Sequence, residues 1–162
     1  MAAAASWWQR FGNAAQIAQV MVAALGFSVL VLQLNEVRSN NRAASARQVY
    51  LAYMDLEFRY PQFAEPDYAS IKTGDRDDKS RYESFVSYLL YACEEALVAF
   101  AGQREWVTAC DDALRPHLPF LCDKSAAEPS YLATVSDDTA AFIKSAMARA
   151  GVTPPACKPK GT

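Results

Sequence analysis

Apolar positions crowd the chain from Ile17 to Leu32, where Val20, Met21, Val22, Leu25, Phe27, Val29, Leu30 and Val31 follow one another with few interruptions. No formal charge occurs between Phe11 and Asn35, and Arg10 and Glu36 bracket the run. A helix of about 20 predominantly apolar residues crosses a hydrocarbon core of about 30 Å. Residues 11–35 therefore predict one transmembrane helix, preceded by a flank at 1–10. Trp7 and Trp8 in that flank suit the membrane–water interface. A cleaved secretion signal is the competing reading, but the apolar run is longer than a signal core. The A-x-A match, Ala44-Ser45-Ala46, also lies beyond Glu36, Arg38 and Arg42.

After Glu36 the pattern changes to a helical one. Residues 36–60 contain no Pro or Gly, and Val49, Tyr53, Leu56 and Tyr60 recur at the spacing of one helical face. Asp55 and Arg59 form an acid-before-base i,i+4 pair, and Pro61 is a stop. A polar connection is expected from Pro61 to Lys79, with a short turn near Phe63 to Tyr68. Ser80 and Glu83 then read as a capping box. They open a helix with Phe85, Val86, Leu89, Leu90, Cys93, Ala96, Leu97 and Phe100 inward, ended by Gly102. A shorter helix is predicted over Gln103–Arg115, an apolar loop over His117–Cys122, and a last helix over Ser130–Ala150, closed by Gly151 and Pro154-Pro155. Residues 152–162 read as a disordered tail. No alternating strand pattern occurs. The expected fold is all-α: a transmembrane helix continuing into a small helical bundle, with the juxtamembrane helix and bundle spanning 36–151.

Composition narrows the partners. Charged residues are 21 % of the chain and the formal net charge is −2, which argues against a nucleic-acid binder built on clustered Lys and Arg. Arg38, Arg42 and Arg47 follow the apolar run, while Arg10 precedes it. The positive-inside bias therefore points to a single-pass protein with its C-terminal domain cytoplasmic. In that compartment Cys93, Cys110, Cys122 and Cys157 are expected as reduced thiols. On the opposite side they pair in a way that spacing does not choose.

Candidate chemistry is sparse. Asp75, Asp77, Asp78 and Glu83 suggest a calcium loop, but counting from Asp75 puts Lys79 fifth, Ser80 sixth and Val86 twelfth, where ligands, a Gly and a Glu are needed. His117, Cys110 and Cys122 lack the paired spacing of a zinc site, and Cys93 and Cys110 fall on apolar faces as core thiols do. His117 beside Pro116 reads as structural rather than as a base for a cysteine nucleophile. Glu94-Glu95 reads as a solvated face or a structural hydrogen bond, since no second positioned group accompanies it. No catalytic, cofactor-binding or metal-binding residue is assigned.

The apolar run carries one sharper feature. Gly12, Gln16, Gln19, Ala23, Gly26, Leu30 and Gln33 recur at alternating spacings of four and three. On a helix they fall within one stripe about 100° wide. Small residues let helices approach closely, and amides in lipid hydrogen-bond across the contact for roughly 0.6 to 2 kcal/mol each. This stripe is the candidate transmembrane interface.

The segments Leu30-Val-Leu-Gln-Leu-Asn-Glu-Val-Arg38 and Tyr88-Leu-Leu-Tyr-Ala-Cys-Glu-Glu95 resemble a loose group of bacterial single-pass inner-membrane proteins with a small cytoplasmic helical domain of unknown function. That resemblance implies a bacterial inner-membrane protein and transfers no active-site residue. The expected function is a non-enzymatic, membrane-tethered interaction module, an accessory subunit or local regulator of a membrane complex. Its partners are the lipid bilayer and either another membrane protein or a second copy. The rival expectation is an effector or toxin that oligomerises through its transmembrane helix.

Overall fold

A computed structural model describes residues 2–152 and 157 of the chain, with side-chain environments given from residue 18 onward. Every described element is helical, so the all-α expectation holds. The first helix, α1, runs Ala2–Arg59. The chain divides into two compact units, Met1–Asn41 and Arg42–Thr162.

In the first unit the described side chains are all exposed. The stretch beginning at Ala18 is apolar and long enough to cross a membrane, by length and composition. Among the described residues nothing covers Val20, Leu25, Phe27 or Leu32. Ser28 turns its hydroxyl back onto the Ala24 carbonyl at 2.9 Å, which satisfies the group without a partner outside the helix.

The second unit is a helical body with a core. The end of α1 contributes Ala46 and Tyr53, both fully buried, with Val49 and Leu56 packed beside them. Asp55 and Arg59 form the expected ion pair at 2.9 Å. Pro61 ends α1 and opens α2 (Pro61–Ala64), whose Phe63 enters the core. Then come α3 (Tyr68–Thr73), α4 (Arg76–Ala99), α5 (Arg104–Leu114), α6 (Leu118–Ala127) and α7 (Asp137–Arg149), with short 3-10 turns at Arg115–His117 and Tyr131–Thr134. Tyr82, Phe85, Val86, Leu89, Leu90, Cys93 and Ala96 make α4 the central helix, packed against α3, α5 and α7.

Four local expectations are corrected. The start of α4 lies before Ser80, because the Asp75 carboxylate accepts the Asp78 N–H at 2.8 Å and caps the helix first. Asp77 and Asp78 then sit in its first turn, where the helix dipole favours acids. The polar run at 75–79 is thus mostly helix. Second, His117–Cys122 is no loop. Pro116 and Pro119 each fall in the opening positions of a helical segment, where a missing N–H costs nothing. Third, the segment from Ser130 is broken. The Ser136 Oγ accepts from the Thr139 N–H and starts α7 afresh. At its far end Gly151 adopts φ +68, which lets the Val152 N–H reach the Met147 carbonyl at 2.9 Å.

The fourth correction concerns sulfur. Cys122 and Cys157 form a disulfide with Cα atoms 5.5 Å apart, so these two are not reduced thiols. Val152 and Cys157 are also buried, which ties part of the expected tail to the body. Cys93 and Cys110 are free and buried.

Candidate functional site

Of the predicted stripe, Gln19, Ala23, Gly26, Leu30 and Gln33 lie on α1 and are exposed. A Cβ added at Gly26 would meet nothing within 4 Å, so this position is open to close approach. Gly12 and Gln16 lie outside the residues whose side chains are described. The stripe therefore presents amides and small residues on a helix whose other faces are equally uncovered. In lipid, such a face gains from van der Waals contact and amide hydrogen bonds rather than from hydrophobic burial.

The helical body holds the remaining candidates, and it keeps them apart. His117 is fully buried, with Nδ1 2.9 Å from the Tyr82 hydroxyl and Nε2 without a partner. Burial lowers its pKa to about 4. The ring packs against Tyr82 and Phe85, with ring centroids 5.7 Å away in each case. Cys110 instead faces Cys93, and Cys122 is spent in the disulfide, so the possible zinc or nucleophile set never assembles. Contact with Cys110, followed by burial, holds the Cys93 thiol well above its ordinary pKa. Among the described residues, no group of three or more His, Cys, Asp or Glu is placed to hold a metal ion.

The acidic candidates also find structural roles. Asp75 caps α4. Glu83 takes the Lys124 ammonium, tying α4 to α6. Glu94 accepts the backbone N–H of Ser136 at 2.7 Å and pins the turn before α7. Asp123 gathers the Tyr68 hydroxyl at 2.9 Å and the Lys72 ammonium, linking α3 to α6. On the surface a shallow groove of about 440 Å³ is lined by Leu56, Tyr60, Phe63, Phe85, Tyr88 and Arg81.

Sequence reasoning missed the Tyr82–His117 pair and the Glu94–Ser136 bond. Each joins residues far apart in the chain, and no spacing rule connects them. Tyr82 alone carried a signal, since it precedes Phe85, Val86 and Leu89 on the same helical face. No protein-family model, no curated protein and no solved structure matches this chain.

Proposed function

We propose that the protein is a non-enzymatic, single-pass membrane tether. In this reading it holds a small helical body beside the bilayer and associates with another membrane protein or a second copy. The observation that carries this reading is the uncovered apolar helix, whose stripe of Gln19, Ala23, Gly26, Leu30 and Gln33 suits helix–helix contact in lipid. The burial of His117 and the engagement of Cys122 with Cys157 support the non-enzymatic part. Tethering raises the effective concentration of the body near membrane partners, and the groove beside Tyr60 and Tyr88 offers a second contact surface.

For the side of the membrane, two signals oppose one another. Arg38, Arg42 and Arg47 support a cytoplasmic body, whereas the Cys122–Cys157 bond supports an oxidising compartment.

In-cell crosslinking of the full chain tests the association. Capture of a membrane protein or of a dimer is expected, and its loss in the Gln19→Leu, Gly26→Leu double variant supports the stripe. Undiminished capture in that variant counts against it. Growth arrest with depolarisation on overexpression would favour a membrane-permeabilising effector instead.

A further inference from the structure

Cys93, Cys110, Cys122 and Cys157 are the four cysteines of the chain, and the fold sorts them into one bonded pair, Cys122–Cys157, and two free buried thiols on the adjacent helices α4 and α5. Cys122 on α6 bonds Cys157 across a sequence separation of 35. Cys93 on α4 meets Cys110 on α5 through the geometry of a helical hairpin. The chain reverses at Phe100–Gln103, where the Gln103 N–H reaches the Phe100 carbonyl at 3.0 Å and Gly102 takes φ +82. Residues at similar distances from the reversal then come face to face. Phe100 and Trp106 stack across it at 4.5 Å. Further along the same pair of helices, the fully buried thiols of Cys93 and Cys110 oppose one another.

A disulfide as enclosed as Cys122–Cys157, at 0 % and 8 % exposure, has the setting of a structural bond rather than a transient one. Structural disulfides persist in oxidising compartments and are rare where thiols are kept reduced. The opposing signal is an excess of arginine after the apolar run, which biases orientation statistically without prescribing it.

We propose that the helical body matures on the oxidising side of the membrane, and that Cys93–Cys110 is a second disulfide site closed there together with Cys122–Cys157. The proposal rests on the membrane-tether reading. Because both pairs are buried in the folded body, the oxidase reaches them while α4 on α5 and α6 on Cys157, once brought together, still open transiently. One thiolate attacks the disulfide of a dithiol oxidase, forming a mixed disulfide and releasing one oxidase thiol. The neighbouring thiolate then displaces the second oxidase thiol. Each bond costs this chain two protons and two electrons, and the oxidase disulfide is reduced to a dithiol.

The test uses the full chain in its own membranes. Free thiols are trapped with an alkylating reagent under denaturing conditions, and the mass is read with and without prior reduction. No trapped thiol without reduction, and four after it, is the expected result. Two trapped thiols, mapped to Cys93 and Cys110, would overturn the second site, and four would overturn the proposal altogether. In Cys110→Ala one newly free thiol, that of Cys93, is expected; no new thiol would refute the pairing. An alkaline phosphatase fused after Thr162 is expected to be active, and an inactive enzyme beside a fluorescent cytoplasmic reporter at the same site refutes the assigned side. Recovery of the intact chain in the soluble fraction would overturn the tether instead, whatever the thiol count.

Discussion

Phe27 and Phe85 are the same residue in two different surroundings. Phe27, on the apolar stretch of α1, is 69 % exposed, while Phe85, at the centre of the helical body, is 5 % exposed. The difference runs through both units. Around residues 18–34 apolar side chains predominate and all are exposed, interrupted by Gln19, Ser28 and Gln33. In α4 the buried positions Tyr82, Phe85, Val86, Leu89 and Cys93 follow helical spacing, and Arg81, Ser84 and Ser87 fill the outer face. A helix apolar all round needs an apolar surrounding, whereas a one-sided helix needs only neighbours to cover one stripe. The first unit is long and apolar enough to cross a membrane while the second carries its own core, so a change in one should leave the other largely intact.

The sharpest way to break that contrast is to empty the body's core. Leu89 is fully buried on α4, so Leu89→Ala should cost about 2–5 kcal/mol of unfolding stability through lost contacts and a residual cavity. Denaturant titration of the detergent-solubilised chain measures the loss, and membrane fractionation should show unchanged partitioning. A loss of membrane association in that variant would mean the units are not independent.

The reciprocal change acts on the apolar helix. Leu25→Arg should raise the cost of placing this segment in a bilayer by about 3–4 kcal/mol. It should shift the chain toward the soluble fraction while the body's thermal transition stays put. If partitioning does not move, the segment is not read by the membrane.

Acid separates the units by another route. His117 is buried and its pKa is lowered to about 4 from 6.5. The unfolded chain therefore takes up the proton first as pH falls. The corresponding stability is present above about pH 6.5 and is lost progressively down to about pH 4, a total of about 3 kcal/mol. Stability measured against pH in wild type and in His117→Gln should differ in slope within that window. Parallel curves would show that His117 is not sealed from water.

Smallest is the loss of the Glu94 carboxylate. It holds the Ser136 N–H at 2.7 Å, so Glu94→Ala should cost about 1–3 kcal/mol, the penalty of an unsatisfied partly buried donor. Faster amide exchange confined to the start of α7 would localise the effect. An unchanged exchange pattern would show the bond contributes nothing.

Long, strongly patterned segments were readable before any coordinates. The uncharged run from Phe11 to Asn35 needs only a count of apolar residues, and the inward face of α4 needs only helical spacing. Boundaries were less so. Ser80-x-x-Glu83 satisfies the capping-box pattern, yet Asp75 competes for the same role five residues earlier, and the acids after it suit the first turn equally well. Proline misled in the opposite sense. Pro116 and Pro119 resemble breaks, but each stands at a helix start, where its ring is compatible with the next turn. For the stripe, the composition of Gln19, Ala23, Gly26, Leu30 and Gln33 was visible at once, and the fold adds that nothing within the described protein covers them.

Hydropathy and periodicity act over a few turns, so local order settles which segments become helices and which of their sides avoid water. Pairing across the body obeys no such rule. Tyr82 finds His117, Glu94 finds Ser136, Cys93 finds Cys110 and Cys122 finds Cys157 only once the helices have packed. Buried polar atoms and sulfurs take whichever partner that packing brings within reach. For this chain the oily helix is a property of neighbouring residues. Its hydrogen-bond and disulfide partners are properties of the assembled body.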